Sequence, residues 1–244
     1  MNPLLPGSAD VQVYHGDGLA WSEEVDALIT DAPYSERTHA GCLGSGGNYD
    51  GADRHRVNYT AWSPNDVRRA VSAWAPLVRG WFVTITDHIL APVWADSLTA
   101  LGRYVFAPLP AVILGGGVRL SGDGPSSTTR WIVVARPRHE PYSKWGTLPG
   151  HYIGPREQMD VVGGKPLWLM RCLVEDYTRP GCVVVDPCCG AGTTIVAARL
   201  LGRRGIGIEI DAGRAALAAE RINKTVQLPL FASAGPTTVQ CELP

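Results

Sequence analysis

The stretch Val183-Val184-Val185-Asp186-Pro187-Cys188-Cys189-Gly190-Ala191-Gly192-Thr193-Thr194 constrains this chain more than any other. An apolar β-branched run meets a Gly-x-Gly turn, and residues 192–201 then read as a helix closed by Gly202. A strand feeding a helix through a tight turn is the building unit of a parallel sheet, because parallel strands need a crossover. Glycines let the backbone approach a ligand, and the helix start offers free N–H groups. A second strand, residues 205–210, carries Glu209, 23 positions after Asp186. An acidic residue about 20 positions beyond such a turn is placed to take ribose hydroxyls. A dinucleotide fingerprint would require glycine where Ile195 stands, and the Gly-Lys-Ser/Thr ending of a phosphate loop is missing. The turn therefore suits an uncharged or zwitterionic nucleoside better than a pyrophosphate.

The rest of the chain repeats the alternation. Residues 11–15, 26–30, 81–86, 104–107, 129–135 and 182–185 read as strands, and residues 89–101 and 212–223 as helices. Ser63-Pro64 opens a helix to about residue 79, with Val67, Ala70, Val71, Trp74 and Leu77 on one stripe. Lys165-Pro166 opens another, to about residue 177. Residues 35–62 read as a long loop without periodicity, residues 108–129 as Pro- and Gly-rich, and residues 136–164 as irregular. This order predicts an α/β fold with a mostly parallel sheet covered on both faces. With 45% hydrophobic and 18% charged residues the chain can bury a sizeable core. The six cysteines form no Cys-x-x-Cys pair, and no metal site is expected. No basic-then-apolar start and no apolar run of about 18 residues is present, which predicts a cytoplasmic chain without a membrane span.

Asp31-Ala32-Pro33-Tyr34 closes the strand at 26–30. In an open α/β sheet, ligands bind at the carboxyl ends of strands. The residue types suit an exocyclic amine on a base. Such an amine is planar because its lone pair is delocalised into the ring. Asp31 can accept one amine hydrogen and the Ala32 carbonyl the other, which favours a tetrahedral nitrogen. Pro33 fixes the backbone, and Tyr34 offers a flat face for stacking. Enzymes that modify a base extrude it onto such surfaces. An ordinary Asp/Pro turn is the competing reading of these four residues alone.

Taken together and in this order, the motifs resemble those of the SAM-dependent amino-methyltransferases of DNA, which act on adenine N6 or cytosine N4. The catalytic motif precedes the cofactor motif, the permuted β-type order. Asp31-Ala32-Pro33-Tyr34 resembles the catalytic motif, residues 186–194 the cofactor loop, and Gly205-Ile206-Gly207-Ile208-Glu209-Ile210-Asp211 the ribose-binding strand. Gly16-Asp17 resembles the acidic turn that meets the cofactor's adenine, and Gly164-Lys165-Pro166-Leu167 the segment before the cofactor loop. Two positions depart from the pattern: Ala32 replaces the usual proline, and Cys188 the usual phenylalanine. The resemblance implies a Rossmann-like methyltransferase fold with a seven-stranded sheet and S-adenosyl-L-methionine as cofactor. It implies a cofactor set of Asp17, Asp31, Lys165, Asp186, Pro187, Cys188, Gly190, Gly192, Thr193, Thr194 and Glu209. In this family Asp at the first catalytic position goes mostly with adenine and Ser mostly with cytosine, so the resemblance favours adenine N6. Cys188 and Cys189 are read as structural. Cytosine N4, an inactive DNA-binding module, and an RNA or protein amide substrate are the alternatives.

The 22 basic and 23 acidic residues exclude a polycation but leave room for local basic faces. Residues 130–171 hold seven Lys and Arg against three Asp and Glu. Arg54, Arg56, Arg136, Arg138, Lys144 and Arg156 are the expected contacts to duplex DNA. Tyr49, Tyr59, Trp62, Tyr142, Trp145 and Tyr152 are aromatic residues near the variable segments, of which one or two are expected to meet bases. Residues 1–225 are read as a single domain with recognition loops at 35–62, 108–129 and 137–162, and 226–244 as a tail. A homodimer and a cognate restriction partner are left open.

Overall fold

The computed structural model describes residues 10–43, 59–115, 128–139, 145–157 and 164–225. Among these, nine strands form one sheet: β1 (Val11–His15), β2 (Ala27–Asp31), β3 (Phe82–Thr86), β4 (Arg103–Val105), β5 (Leu109–Leu114), β6 (Thr129–Pro137), β7 (Tyr152–Pro155), β8 (Val183–Asp186) and β9 (Arg204–Glu209). The order is β1-β9-β8-β2-β3-β6-β5-β7, with β4 on the far end of β6. β1, β9, β8, β2 and β3 run parallel. β6 runs antiparallel to β3 and β5, and β7 returns parallel to β5.

The central strands read as continuous apolar runs because both their faces are covered. On one face lie α2 (Pro64–Trp74) and α3 (Ala91–Ala100). Their Val67, Val71, Trp74, Trp94 and Leu98 pack on Leu28, Phe82, Val133 and Val185. The other face takes α4 (Leu167–Tyr177), α5 (Thr193–Leu200) and α6 (Ala212–Lys224). Leu169, Met170 and Leu173 of α4 pack with Ile29, Val83, Ile132 and Val184. Ile195 of α5 and Ala215 and Ala218 of α6 close over Val11 and Val13 of β1. Trp74 and Trp94 are fully buried, and truncating such a side chain costs roughly 3–5 kcal/mol.

The alternation of strands and helices on both faces is as expected; the strand count and three segments are not. The sheet has nine strands among the described residues rather than seven. β5 and β7 fall inside the segments read as recognition loops. Pro110 and the Gly154-Pro155 pair hide these strands from a propensity reading, since glycine and proline are depleted in strands. Gly154 is there for packing: a Cβ would lie 2.6 Å from the Trp168 ring. The helix opened by Ser63 has its capping box with Asp66 but stops at Trp74, because Pro76 lacks the N–H to continue. A single turn, Ala75–Leu77, follows.

The third difference is α1 (Glu36–Leu43), inside the expected long loop. Its sequence has no apolar stripe. Tertiary bonding anchors its start instead. Asp87, at the end of β3, accepts from the Ser35 amide at 2.8 Å and from the Ser35 and Thr38 hydroxyls at 2.5 and 2.6 Å. It also accepts from the Leu90 amide ahead of α3. Burial works against the Asp87 charge, but these bonds outweigh it and hold the carboxyl below its ordinary value.

From β8 the chain crosses to β9 on one side, and from β2 to β3 on the other. The crevice between the carboxyl ends of β8 and β2 is therefore a switch point, where open α/β sheets bind ligands.

Candidate active site

Strand β8 ends at Asp186, which is 1% exposed. It accepts from Thr30 Oγ1 of β2 at 2.6 Å, from Thr194 Oγ1 at 2.5 Å and from the Cys188 amide at 3.1 Å. These bonds tie the neighbouring strand and the start of α5 to one carboxyl. Burial is the main cause that pushes Asp186 up to about 6. The turn that follows needs its glycines. Gly190 and Gly192 have φ of 53° and 78°, in the left-handed region. A Cβ on Gly192 would also crowd Ala218 at 3.0 Å, whereas one on Gly190 would meet nothing within 4 Å. Arg221 of α6 reaches back to the Ala191 carbonyl and to the Thr193 hydroxyl. Burial, reinforced by Asp186, pushes the Cys188 and Cys189 thiols well up, so both are neutral.

Glu209 at the end of β9 is 6% exposed and fully engaged. Its Oε2 accepts from the Gly190 amide at 2.9 Å, and its Oε1 from the Asp211 amide at 3.0 Å and Arg214 Nε at 3.1 Å. The Arg214 guanidinium lies 5.5 Å from the Tyr59 ring centroid. Asp17, just past β1, is exposed and caps the turn Gly18–Ala20 by accepting from the Leu19 amide. Gly18 is held against Pro187, where a Cβ would meet the Pro187 carbonyl oxygen at 2.2 Å.

Asp31 ends β2, beside Asp186. Tyr34 Oη donates to its Oδ1 at 3.1 Å, and Lys165 Nζ to its Oδ2 at 2.5 Å. Lys165 Nζ also sits 4.9 Å from the Tyr34 ring centroid. Burial, then the Asp31 charge, raises the Tyr34 hydroxyl well above its ordinary value. The Tyr34 carbonyl accepts from the Trp62 amide, so the chain beyond the long segment returns to this turn. Trp62 in turn stacks on Trp94 with centroids 6.0 Å apart.

One cavity of about 370 Å3 joins these parts, within the size of small-molecule sites. Of the expected residues, Asp17, Asp31, Pro33, Lys165, Asp186, Pro187, Cys188, Gly190, Thr193, Thr194 and Glu209 line it. Ala32, Tyr34 and Gly192 do not; Ala32 and Tyr34 are buried. Sequence reasoning gave no role here to Arg69, Arg214, Leu19 or Met170, which also form the wall. Tyr59 and Trp62, counted among the aromatic residues near the variable segments, belong to it as well. The lining suits a nucleoside bearing an amino acid. Carboxylates can accept from hydroxyls, Arg69 can meet a carboxylate, and the space beside Gly190 is a cradle that a side chain would fill. Among the described residues no group of three or more His, Cys, Asp or Glu could hold a metal ion.

The expected DNA contacts divide. Arg54, Arg56 and Lys144 lie outside the described residues. Arg136 is a correction: it is 4% exposed, packs its guanidinium 4.9 Å from the Tyr104 ring centroid, and donates to the Pro137 carbonyl. β6 runs antiparallel to β3, so Arg136 and the exposed Arg138 sit at the edge opposite the cavity, where Arg138 holds the Gly102 carbonyl. Arg156 follows β7 and is exposed at the cavity's own edge.

A sequence model of the N6/N4 DNA methylase family matches residues 53–220. The type II methyltransferase M.HindIII of Haemophilus influenzae is 41% identical over 61 residues, 25% of this chain and 20% of that protein. M.MthZI of Methanothermobacter thermautotrophicus is 41% identical over 63 residues, 26% of this chain and 18% of that protein. The chain thus aligns with about a fifth of the length of these curated relatives. The M1.HpyAVI–SAM complex superposes with a TM-score of 0.64 at 24% identity, covering 87% of this chain and all of that one. The cytosine-N4-specific PvuII DNA methyltransferase superposes at 0.63 with 14% identity, covering 88% and 91%. These likenesses establish the methyltransferase fold, and the family match covers most of the described sheet. The chain belongs to the N6/N4 DNA methylase family.

Proposed function

We propose that this chain transfers a methyl group from S-adenosyl-L-methionine to the exocyclic N6 of an adenine turned out of duplex DNA. The observation that carries the reading is the meeting of Asp31 with the Gly190 turn and Glu209 in one cavity at the switch point. The cofactor, when bound, supplies an electrophilic methyl on a charged sulfur. Glu209 and Asp17 are placed to hold its hydroxyl and amino groups, and the Gly190 amide region lies alongside. Asp31 accepts an amine hydrogen and orients the nitrogen lone pair, so catalysis is mainly by positioning. Asp186 acts on the cofactor indirectly, by fixing the turn between β8 and α5. Duplex DNA approaches the cavity edge, where Arg156 is exposed, and target reading falls to parts of 35–62, 108–129 and 137–162 outside the sheet. Residues 1–225 form the single catalytic domain on this reading.

The choice of adenine rests on Asp31 in the first catalytic position. Purified protein, SAM and unmethylated bacterial genomic DNA, followed by nucleoside analysis, test it. N6-methyladenine is expected. N4-methylcytosine would move the assignment to the other base, and neither product would overturn the activity.

A further inference from the structure

The carboxylate assigned to the target amine is already bonded to a lysine. Lys165 is 8% exposed, its Nζ donates to Asp31 Oδ2, and it lies within cation–π range of the Tyr34 ring. The first of these contacts is one that a target amine requires, a carboxylate oxygen to accept its N–H. The ammonium also carries the positive charge that develops on an amine nitrogen as it is alkylated. With Tyr34 Oη on Oδ1, both carboxylate oxygens of Asp31 have donors. An arriving amine must share Oδ2 with Lys165 or displace it, and the burial of Lys165 leaves little room for sharing. Lysine suits withdrawal, because its ammonium is a point charge on a flexible four-carbon stem. It stands ahead of the first residue of α4, so withdrawal breaks no helical bond.

We propose that Lys165 is a positioning residue that occupies the amine subsite until a base arrives, and that its displacement raises the KM for DNA. The inference rests on the reading of the cavity as a base-methylation site. It departs from the sequence expectation that Lys165 serves the cofactor.

Two variants read the idea in opposite directions. Lys165→Met keeps length and apolar stem but removes the competing ammonium. Lys165→Arg keeps the charge and offers a bidentate fork, which grips a carboxylate more firmly. Steady-state methylation of unmethylated bacterial genomic DNA gives KM, and calorimetry gives SAM affinity. For Lys165→Met the KM for DNA is expected to fall by roughly three- to ten-fold, with SAM affinity within about two-fold of the parent. For Lys165→Arg the KM is expected to rise. A KM in Lys165→Met that is unchanged or higher overturns the proposal, as does a tenfold loss of SAM affinity, which would return Lys165 to the cofactor. A purely structural role would move both variants the same way. If the parent protein methylates no DNA, the functional reading itself fails; an active parent with an unaltered Met variant removes only the Lys165 proposal.

Discussion

Asp31 and Asp186 end adjacent parallel strands, each after a β-branched run and each close to a proline, yet the fold treats them differently. Asp186 is sealed, and its partners are two threonine hydroxyls and a backbone amide fixed by β2 and α5. Asp31 opens on the cavity, and its partners are a lysine on a long stem and a phenol. The sealed carboxyl sets the geometry of the turn. The open one has donors that can be exchanged. Burial and the stiffness of the partners, rather than residue type or strand position, separate the sealed carboxylate from the exchangeable one.

The largest effect that would sharpen this contrast is at Asp31. Asp31→Ala should lower methyl transfer by about a hundred- to a thousandfold, the range lost when a positioned electrostatic group is removed. Its SAM affinity by calorimetry should stay within about three-fold, since Glu209 and the Gly190 turn are untouched. Retained turnover would show that the exchangeable carboxylate is not the chemical one, and the comparison would break there.

Glu209 lies between the two extremes: it is nearly as buried as Asp186 but lines the cavity. Glu209→Ala removes the acceptor for the Gly190 and Asp211 amides and for Arg214. SAM affinity is expected to fall by roughly ten- to a hundredfold, about 1.4–2.8 kcal/mol. A Glu209→Ala protein that binds SAM normally would place Glu209 with the structural carboxylates instead.

Much of this site was legible because its motifs are local. The Gly190-Ala191-Gly192 turn, Glu209 and the Asp31 turn each announce a strand end in a few residues, and the helix stripe through Val67, Val71 and Trp74 announces a buried face. What sequence hid was made by distant partners. α1 starts where Asp87 gathers Ser35 and Thr38 from 49 to 52 positions away. β7 is a four-residue edge strand whose Gly154 exists to admit Trp168. Arg136 looked like a surface cation, but the antiparallel turn of β6 carries it to the far edge and buries it on Tyr104 and Phe106. Arg214 belongs to no local pattern; it reaches the cavity only because the first turn of α6 begins beside Glu209.

The smallest effect bears on the sealed carboxyl itself. Asp186 has an ordinary value of 3.8 and is pushed up to about 6 in the fold, mainly by burial. Between these values the unfolded chain gives up its proton before the native one does. Native stability contributed by this group is therefore full below about 3.8, falls as pH rises, and stays reduced above about 6. The gap corresponds to roughly 3 kcal/mol, at most, for a fully buried group. Asn is neutral at every pH and close in shape, so Asp186→Asn cannot undergo this loss. Urea unfolding at pH 4.5 and at pH 7 should show the difference in stability between variant and parent moving toward the variant as pH rises. Its absolute level includes whatever the amide loses in hydrogen bonding to Thr30 and Thr194, so only the drift between the two pH values is diagnostic. A drift toward the parent would mean that the buried carboxylate gains from being charged, as one held by strong donors does.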